Sequence, residues 1–386
     1  MEDFIKSIGG GDEIGASCHY VFCNGYNFMF DCGIRGAERR RYPSFSELLK
    51  LPTMDTLNDL DCIFLSHGHY DHNGALPLLV SKFISNREIV CTDYTRDFTE
   101  IQLNILKKHN NMNNYSIYED VMVDKAVGML STYPIGKRIE KNGYSFTLFK
   151  SGHIPGAVMT LVEVDGKKIL YTGDFSEKDY PMVEKYELPD IGDVDLLLLN
   201  GINIWKREDR WDTTWGDGEN KLKEILKTIV LYKKLNVEVG QVNNGIELAI
   251  LLNNELEDSA FKRLGITIYV DVPIGKMLNV ITARSGKKYP NIKMFRGREL
   301  NPDENAIYVT FNKNRIFNGI RKINLNYSLH ESYEGIKELI LKVRARKTLI
   351  AHYNEDKKEI STLLDDLHNA GYYSCEYIEN EKIYEF

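Results

Sequence analysis

Three histidines and an aspartate occupy a stretch of six residues in the first quarter of this sequence. They are His67, His69, Asp71 and His72, and they follow the apolar run that ends at Leu65. Neutral imidazoles and carboxylates are the ligands that zinc takes, and a zinc site needs three or four that converge. A helix cap would account for Asp71 or His72 but not for the whole set. The spacing therefore predicts a metal site at the end of a strand.

Three further candidate ligands come directly after other apolar runs. They are His153, Asp174 and His352. Each of them alone is more often a hydrogen-bonding residue than a metal ligand. Each predicted strand nevertheless delivers its polar residue just past its C-terminal end, so we expect these side chains to meet on one rim of the fold. With the first cluster they make seven ligands, enough for two metal ions that share one carboxylate.

The elements that must position these residues can be read from the apolar pattern. Short apolar runs bounded by glycine, such as Ser145–Lys150, predict strands in the first half, where the clearest helix is Gly74–Phe83. Near residue 200 the pattern changes, and Lys221–Leu235 has the spacing of a helix with one buried face. Alternating strands and helices follow, which indicates a parallel sheet. The earlier pattern returns after Lys322, so we interpret Gly201–Ile320 as an α/β insertion into an α/β core.

The His-x-His-x-Asp-His motif at residues 67–72 resembles the signature of the metallo-β-lactamase superfamily. His153 and Asp174 resemble the third and fourth motifs of that superfamily, in the same order. The Gly9–Gly11 run could suggest a phosphate-binding loop, but its spacing fits neither common phosphate-binding motif, and a tight turn is the better interpretation.

The insertion resembles that of the β-CASP branch, which processes nucleic acids and includes ribonuclease J and the cleavage subunit of pre-mRNA 3′-end processing. In that branch a cap domain interrupts the core after the fourth motif. Tyr327–Ser332 and Ile350–His352 resemble the later motifs B and C, each of which carries a histidine. The resemblance implies a metallo-β-lactamase αββα sandwich with an inserted α/β β-CASP cap. The implied domains are 1–200 (core, first part), 201–320 (cap) and 321–386 (core, C-terminal part).

The resemblance also implies a ligand set and a reaction. One zinc ion would be bound by His67, His69 and His153, a second by Asp71, His72 and His352, with Asp174 bridging both. A metal-activated hydroxide would attack phosphorus and leave a 5′-phosphate. His330 is the implied general acid, because an imidazole can donate a proton near neutral pH; alternatively it is only a neighbour of the helix N-cap at Ser332. The implied catalytic residues are Asp71, His330 and Asn200.

Two departures from the branch's pattern affect the implied activity. Asn200 stands where the branch has an acidic residue, and Val309–Asn312 stands where it has a Ser-Gly-Met turn. An acidic partner would raise the pKa of the general acid and fix its tautomer, whereas an asparagine can only orient it. We therefore expect a weaker acid function, or activity on a bond with a better leaving group.

The three tryptophans of the chain lie close together and are interleaved with basic residues. Aromatic rings beside cations suit base stacking next to phosphate contacts. The predicted substrate-binding residues are Trp205, Arg207, Arg210 and Trp211. The alternative, which we favour slightly, is that the tryptophans pack the hinge between core and cap.

Composition limits the classes of protein to which this chain can belong. With 49 Lys and Arg against 56 Asp and Glu, the net charge of −7 excludes a generally basic, nucleic-acid-binding surface but not a local basic groove. The apolar stretches are too short to span a bilayer, and the N-terminus lacks the features of a signal peptide. Six scattered cysteines without a Cys-x-x-Cys pair suggest reduced thiols. We expect a cytoplasmic protein.

The hypothesis that joins these observations is a di-zinc phosphodiesterase that cleaves RNA or, second, single-stranded DNA. One alternative is a di-zinc hydrolase of a small ester or a cyclic nucleotide, against which the cap argues. The other is a non-catalytic nucleic-acid-binding subunit, against which the complete ligand set argues. We expect no membrane partner, and a homodimer stays open.

Overall fold

Short apolar segments that end in glycine or polar turn residues form the sheets of this protein. The structure is a computed structural model. It describes residues 1–35, 42–85, 87–112, 118–204, 215–258, 260–296, 304–311, 319–325, 327–353 and 357–386. The chain forms two compact units. The first comprises Met1–Asp179, Lys185–Arg207 and His330–Phe386, and the second comprises Tyr180–Glu184 and Glu208–Leu329.

Strands and helices are numbered here in chain order. The strands are β1 (Phe4–Gly9), β2 (Cys18–Cys23), β3 (Tyr26–Phe30), β4 (Cys62–Phe64), β5 (Ile89–Cys91), β6 (Leu130–Thr132), β7 (Arg138–Glu140), β8 (Ser145–Lys150), β9 (Val158–Val164), β10 (Lys167–Tyr171), β11 (Leu196–Asn200), β12 (Lys234–Val239), β13 (Thr267–Val270), β14 (Ile292–Met294), β15 (Ala306–Thr310), β16 (Arg321–Leu325), β17 (Lys347–Ala351), β18 (Cys375–Tyr377) and β19 (Ile383–Glu385). The α-helices are α1 (Tyr70–Asn73), α2 (Leu76–Val80), α3 (Asp93–Met112), α4 (Asp120–Gly128), α5 (Trp215–Tyr232), α6 (Val242–Asp258), α7 (Val272–Ser285), α8 (Tyr333–Val343) and α9 (Lys357–Asn369). Short 3-10 helices span Phe45–Lys50, Leu57–Asp59 and Ala260–Leu264.

The first unit contains two seven-stranded sheets, in the orders β19-β1-β2-β3-β4-β5-β6 and β18-β17-β11-β10-β9-β8-β7. Apolar side chains from both sheets form one buried cluster between them. Phe64 of β4 meets Phe146 of β8 edge-on with ring centroids 5.4 Å apart, and Phe30 of β3 lies 5.3 Å from Tyr171 of β10. Burial of each such side chain stabilises the fold by roughly 1.5–3 kcal/mol, so the sheets pack face to face.

Helices cover the outer face of each sheet. Leu76 of α2, Leu103 of α3 and Val123 of α4 belong to a buried cluster with side chains of the first sheet. Leu339 of α8 and Leu363 of α9 belong to another with the second sheet. The predicted αββα sandwich is therefore confirmed.

The second unit is an α/β unit with a five-stranded sheet in the order β14-β13-β15-β12-β16. All of its strand pairs are parallel. Helix α6 packs against α7 and β13. The parallel sheet predicted from the alternation of strands and helices is present.

Two helix predictions differ from the structure, and the first is Gly74–Phe83, of which only Leu76–Val80 forms α2. The helix predicted over Lys221–Leu235 is wrong at its end, because Lys233 adopts a left-handed φ of 58° that stops α5. Lys234 then begins β12, where Leu235 is fully buried. The sequence analysis also does not predict α3. None of the helices in the described ranges combines the length and the apolar character needed to cross a membrane.

Candidate metal centre

The histidine-rich motif follows β4, an inner strand that pairs in parallel with β3 and β5. His67 and His72 are fully buried, and His69 occupies the N-cap position of α1. The close packing requires glycine at position 33, because a Cβ there would overlap the backbone carbonyl of Asp71. The turn after β4 therefore holds all of the motif's predicted ligands at one end of the sheet.

Three imidazole nitrogens converge in a first ligand set. His67 Nε2 lies 3.0 Å from His69 Nδ1, and His153 Nε2 lies 3.2 Å from the same atom. Two ligand atoms bound about 2.0 Å from one tetrahedral zinc ion lie about 3.3 Å apart. The three nitrogens therefore have the mutual spacing of zinc ligands.

Asp174, which follows β10, provides the oxygen on which the centre converges. Its Oδ2 lies 3.6 Å from His67 Nε2, 3.6 Å from His153 Nε2 and 3.4 Å from His72 Nε2. His72 belongs to a second ligand set with Asp71 and His352, whose ligand atoms also lie within 4.8 Å of one another. Asp71 Oδ2 is 3.9 Å from both of these imidazoles. Asp174 Oδ2 thus faces both ligand sets.

Asp31 orients the ligands of the centre through hydrogen bonds, and the sequence analysis does not identify it as a site residue. Its Oδ2 accepts hydrogen bonds from His72 Nδ1 (2.7 Å), Ser66 Oγ (2.7 Å) and Tyr171 Oη (2.6 Å), and its Oδ1 accepts one from Ser66 N (2.7 Å). Ser66 Oγ in turn lies 3.0 Å from His67 Nδ1. Because both imidazoles use Nδ1 for these bonds, their Nε2 atoms are left for a metal ion.

His352 is oriented in a similar way by the N-terminal glycine-rich turn. Ser17 Oγ lies 2.8 Å from His352 Nδ1. The backbone N–H of His352 donates to the carbonyls of Gly10 and Gly11, at 2.8 and 2.9 Å. The glycine run, interpreted from the sequence as a tight turn, therefore supports a predicted metal ligand.

Three buried atoms of the centre have no hydrogen-bond partner within the described part of the chain. They are His72 Nε2, His352 Nε2 and Asp174 Oδ2. An unpaired buried polar atom costs about 1–3 kcal/mol, and a cation bound between these atoms would satisfy all of them. Imidazole nitrogens with carboxylate oxygens are the donor set of zinc and related metals. The centre therefore fits metal ions.

The first ligand set favours neutral imidazoles. Burial lowers the pKa of His67 and that of His69 well below the usual value, and neighbouring histidines lower both further. Burial also lowers the pKa of His352. Neutral imidazole is the form that binds a metal ion.

Charge is distributed differently around His72. Burial alone would lower its pKa, but the carboxylates of Asp174, Asp31 and Asp71 raise that pKa well above the usual value. Burial disfavours the charge of Asp174, yet His72 and His330 hold the pKa of this carboxyl well below its usual range. The centre therefore stabilises positive charge at His72.

His330 and Asn200 both lie beside Asp174. His330 Nδ1 is 3.4 Å from Asp174 Oδ2, and burial lowers the pKa of His330 to about 3 although Asp174 opposes this effect. Asn200 Nδ2 donates to Asp174 Oδ1 at 3.1 Å, and Asn200 N donates to Thr172 Oγ1 at 3.1 Å. The sequence reasoning linked Asn200 to His330 and did not predict its bond to Asp174.

Two more residues that the sequence reasoning missed hold the segment around His330. Asn203 Nδ2 donates to the carbonyls of His330 and Glu331, at 3.3 and 2.7 Å. The buried carboxylate of Glu331 accepts from the backbone N–H groups of Glu177 and Ser332. These hydrogen bonds link the segments that follow β10 and β11 to the start of α8. A polar residue at the end of an apolar strand is the sequence signal that could have suggested Asp31, but no such signal marks Glu331.

The structure brings together all of the predicted ligands together with His330 and Asn200. The predicted substrate-binding residues Trp205, Arg207, Arg210 and Trp211 lie outside the described residues.

The sequence profile described as "Beta-lactamase superfamily domain" matches residues 26–234 of the chain. The chain belongs to this superfamily. The resemblance predicted from the HxHxDH motif is therefore confirmed.

Curated relatives within the superfamily carry the names of RNA-processing proteins. Cleavage and polyadenylation specificity factor subunit 3 of Dictyostelium discoideum is 31% identical over 201 residues, which are 50% of this chain and 25% of that protein. Endoribonuclease YSH1 of Candida glabrata is 26% identical over 312 residues, which are 77% of this chain and 39% of that protein. These relatives belong to the β-CASP branch, which confirms the second part of the resemblance. The chain matches only a quarter to two fifths of their lengths.

A solved structure supports the fold independently. The crystal structure of a protein of unknown function from Enterococcus faecalis V583 matches with a TM-score of 0.64 and covers 100% of both chains. The two sequences are 14% identical, so this match concerns the fold alone.

Proposed function

We propose that this chain is a zinc-dependent phosphodiesterase that cleaves RNA or, second, single-stranded DNA. One observation carries the proposal: Asp174 Oδ2 lies within 3.4–3.6 Å of imidazole nitrogens from both ligand sets. A carboxylate shared in this way supports a two-metal centre, the arrangement used by many phosphodiesterases and nucleases. In this proposal the first unit forms the catalytic core and the second unit forms the cap, which ends at Leu329 rather than at the boundary of 320 expected from the sequence.

The ligands are assigned to two ions. His67, His69 and His153 would hold one zinc ion, Asp71, His72 and His352 the other, and Asp174 both. Bound zinc supplies an activated water near neutral pH and a Lewis acid for phosphoryl oxygens.

The surrounding residues orient the ligands and move a proton. Asp31 keeps the proton of His72 on Nδ1, and the contact of Ser17 with His352 Nδ1 leaves Nε2 as the atom that would hold the second ion. His330 would donate a proton to the leaving oxygen. The negative charge of a bound phosphate would raise its pKa from the low value set by burial.

The substrate class follows from the relatives and from the reaction. The names of these relatives describe an endoribonuclease and a cleavage and polyadenylation factor, which supports RNA as the substrate. The net charge of −7 requires that a polyanion be held by a local site.

The six cysteines are free and buried, which supports the cytoplasmic location expected from the sequence.

Metal analysis combined with a nuclease assay tests the proposal. The full chain is loaded with zinc and incubated with end-labelled RNA and with single-stranded DNA, beside the variants His67→Ala and Asp174→Ala. His368→Ala is the matched control, because His368 is an exposed histidine of α9 whose ring stacks on Tyr373. We expect two zinc ions per wild-type chain, a lower zinc content in the ligand variants, and cleavage only by the wild type and the control.

Three results would change the conclusion. Zinc without cleavage of either polymer would favour a nucleic-acid-binding subunit. Cleavage of only a small ester or a cyclic nucleotide would favour a different hydrolase. Undiminished cleavage by Asp174→Ala would refute the assigned centre.

A further inference from the structure

A cavity of about 690 Å³ lies in the first unit beside the loops that carry His153 and Asp174. Its lining includes Phe149 and Lys150 from the end of β8, Glu177, the segment 185–189, and Lys342 near the end of α8. This volume is in the range of sites that bind small molecules or single nucleotides. The cavity is separate from the ligand cluster, and nothing in the reaction described above uses it.

The cavity wall is built directly against the metal-ligand loops. Tyr186 N donates to Ser176 O at 2.8 Å, Ser176 N to Ser151 O at 2.9 Å, and Glu187 N to Lys150 O at 3.1 Å. Gly152 lies where these segments meet, and a Cβ at this position would overlap Ser176 O and Tyr186 N. The wall is therefore fixed relative to the centre.

The distance from the cavity to the centre is short. Lys150 precedes His153 by three residues, and Glu177 follows Asp174 by three residues. Three residues span at most about 11 Å of backbone. A flexible polymer that occupies the cavity can therefore also reach the metal ligands.

The cavity carries a cation whose charge is not cancelled by its bonded partner. Lys342 is exposed, and its Nζ donates to the neutral backbone carbonyl of Leu188 at 2.9 Å. Lys150 Nζ lies 3.7 Å from the carboxylate of Glu187, which offsets its charge. Lys185, exposed on the same wall, adds a further ammonium group. The carboxylate of Glu177, which also lines the cavity, offsets one of these charges, and the one ammonium group in excess suits a phosphate.

An aromatic ring stands beside these cations. Tyr186 is half-buried, and its ring packs edge-on against Phe175 with centroids 5.9 Å apart. Phe175 is buried and directly follows Asp174. Lys342 Nζ lies 5.9 Å from the centroid of the Tyr186 ring. A ring supported from the core with an ammonium group beside it is a combination that binds single-stranded nucleic acid.

We propose that this cavity is a subsite for the single-stranded nucleic acid that flanks the cleaved bond. One base stacks on Tyr186, and Lys342 and Lys185 contact the adjoining phosphates. This assignment rests on the nuclease function proposed above, and it extends that function to a stretch of the polymer outside the metal centre.

Variants of Lys342 test the subsite in cleavage and in binding. The substrates are an oligoribonucleotide of about 16 nucleotides, the upper end of common single-strand site sizes, and a dinucleotide too short to fill the subsite. With the zinc-loaded full chain, we expect Lys342→Ala to raise KM for the long substrate about fivefold with kcat unchanged, because stacking and phosphate contacts of this size are common in single-strand sites. The dinucleotide should be cleaved with unchanged constants, and Lys342→Arg should restore the KM.

Binding of the same oligoribonucleotide, measured by fluorescence anisotropy with zinc chelated, gives a second readout. Loss of one phosphate contact should reduce the slope of log K against log salt concentration by about 0.7. Tyr186→Leu keeps the bulk of the wall and should weaken binding while it leaves the slope unchanged.

The matched control is Lys125→Ala. Lys125 lies in α4, in the opposite helical layer, and its Nζ also donates to a backbone carbonyl, that of Phe83, at 2.8 Å. We expect neither KM nor the slope to change in this variant. Thermal unfolding of each variant checks that it is folded.

The outcomes separate this proposal from the proposed function. If the wild type binds the oligonucleotide but cleaves neither substrate, the nuclease function fails and the binding data alone decide the subsite. If the wild type cleaves and Lys342→Ala matches Lys125→Ala in KM and slope, the subsite fails and the nuclease function stands. Displacement of the oligonucleotide from the wild type by an acidic peptide but not by single-stranded DNA would also overturn the subsite.

Discussion

The substitution Asp31→Asn should weaken zinc binding without removing any metal ligand. In the structure one oxygen of Asp31 accepts three hydrogen bonds and the other accepts the N–H of Ser66. An asparagine has the same shape but only one accepting atom. Its amide group must therefore face either the Ser66 N–H or the other three donors, which include His72 Nδ1.

The expected loss of stability follows from the amide orientation that breaks fewer hydrogen bonds. With the amide oxygen toward the three donors, the buried Ser66 N–H loses its partner, which costs about 1–3 kcal/mol. The three remaining bonds lose a charged acceptor, which weakens each by about 1 kcal/mol or less. Removing a carboxylate that orients a metal-ligating histidine typically costs 10–100-fold in metal affinity, or about 1.4–2.8 kcal/mol. We expect the zinc Kd to rise by about that factor and the metal-free chain to lose about 2–4 kcal/mol of stability.

Competition with a chromophoric chelator measures the zinc Kd, and urea unfolding of the metal-free chain measures stability. The matched control is Asp195→Asn, because Asp195 is also buried and its Oδ2 accepts a backbone N–H, that of Lys168, at 2.8 Å. The control should lose stability and keep its zinc affinity. A folded Asp31→Asn variant whose zinc Kd lies within a factor of two of the wild type would refute the reasoning.

Three further substitutions test the roles of Asn200, Glu247 and Asn203. Asn200→Asp adds negative charge beside Asp174, so we expect the pKa of His330 to rise and the alkaline limb of the kcat profile to move to higher pH; an unchanged profile would contradict this. Burial raises the pKa of Glu247 from 4.5 to about 8, so this residue's contribution to stability is complete below pH 4.5 and is lost as the pH rises toward 8. The side chain of Glu247→Gln cannot ionise, so in urea unfolding at pH 5.5 and pH 7 the wild type should lose stability relative to this variant by roughly 1.4 kcal/mol per pH unit; parallel pH dependence of the two proteins would rule out the buried acid as the cause. Asn203→Ala removes the donor to the carbonyls of His330 and Glu331, so kcat should fall on the order of tenfold with zinc content unchanged, and equal loss of zinc and activity would argue against this positioning role.

The metal centre could be anticipated from the sequence because its ligands follow apolar strands. Residues 67–72 form one motif, and β8 (Ser145–Lys150) has the bounds that its apolar run predicts. The carboxyl ends of neighbouring strands lie on one edge of a sheet, so polar residues at those ends converge even when they are far apart in the chain. Local pattern and tertiary position agree at these sites.

The supporting residues could not be predicted, because their roles depend on partners that are distant in sequence. Asp31 meets Tyr171 and Ser66 only after the two sheets have packed together. Strands of three residues such as β5 are too short to show a period. The bond from Asn200 to Asp174 joins the ends of two neighbouring parallel strands, whose pairing is a property of the sheet rather than of either segment.

The ligand sets join parts of the chain that are far apart, from His67 near its beginning to His352 near its end. Bound metal would therefore act as a reversible cross-link that closes very large loops, and the chain entropy that it removes from the unfolded ensemble grows with loop length. Bound metal would therefore raise the free energy of unfolding of the first unit by an amount that grows with the free metal concentration. A chelator would remove this part of the stability and leave the part that comes from packing.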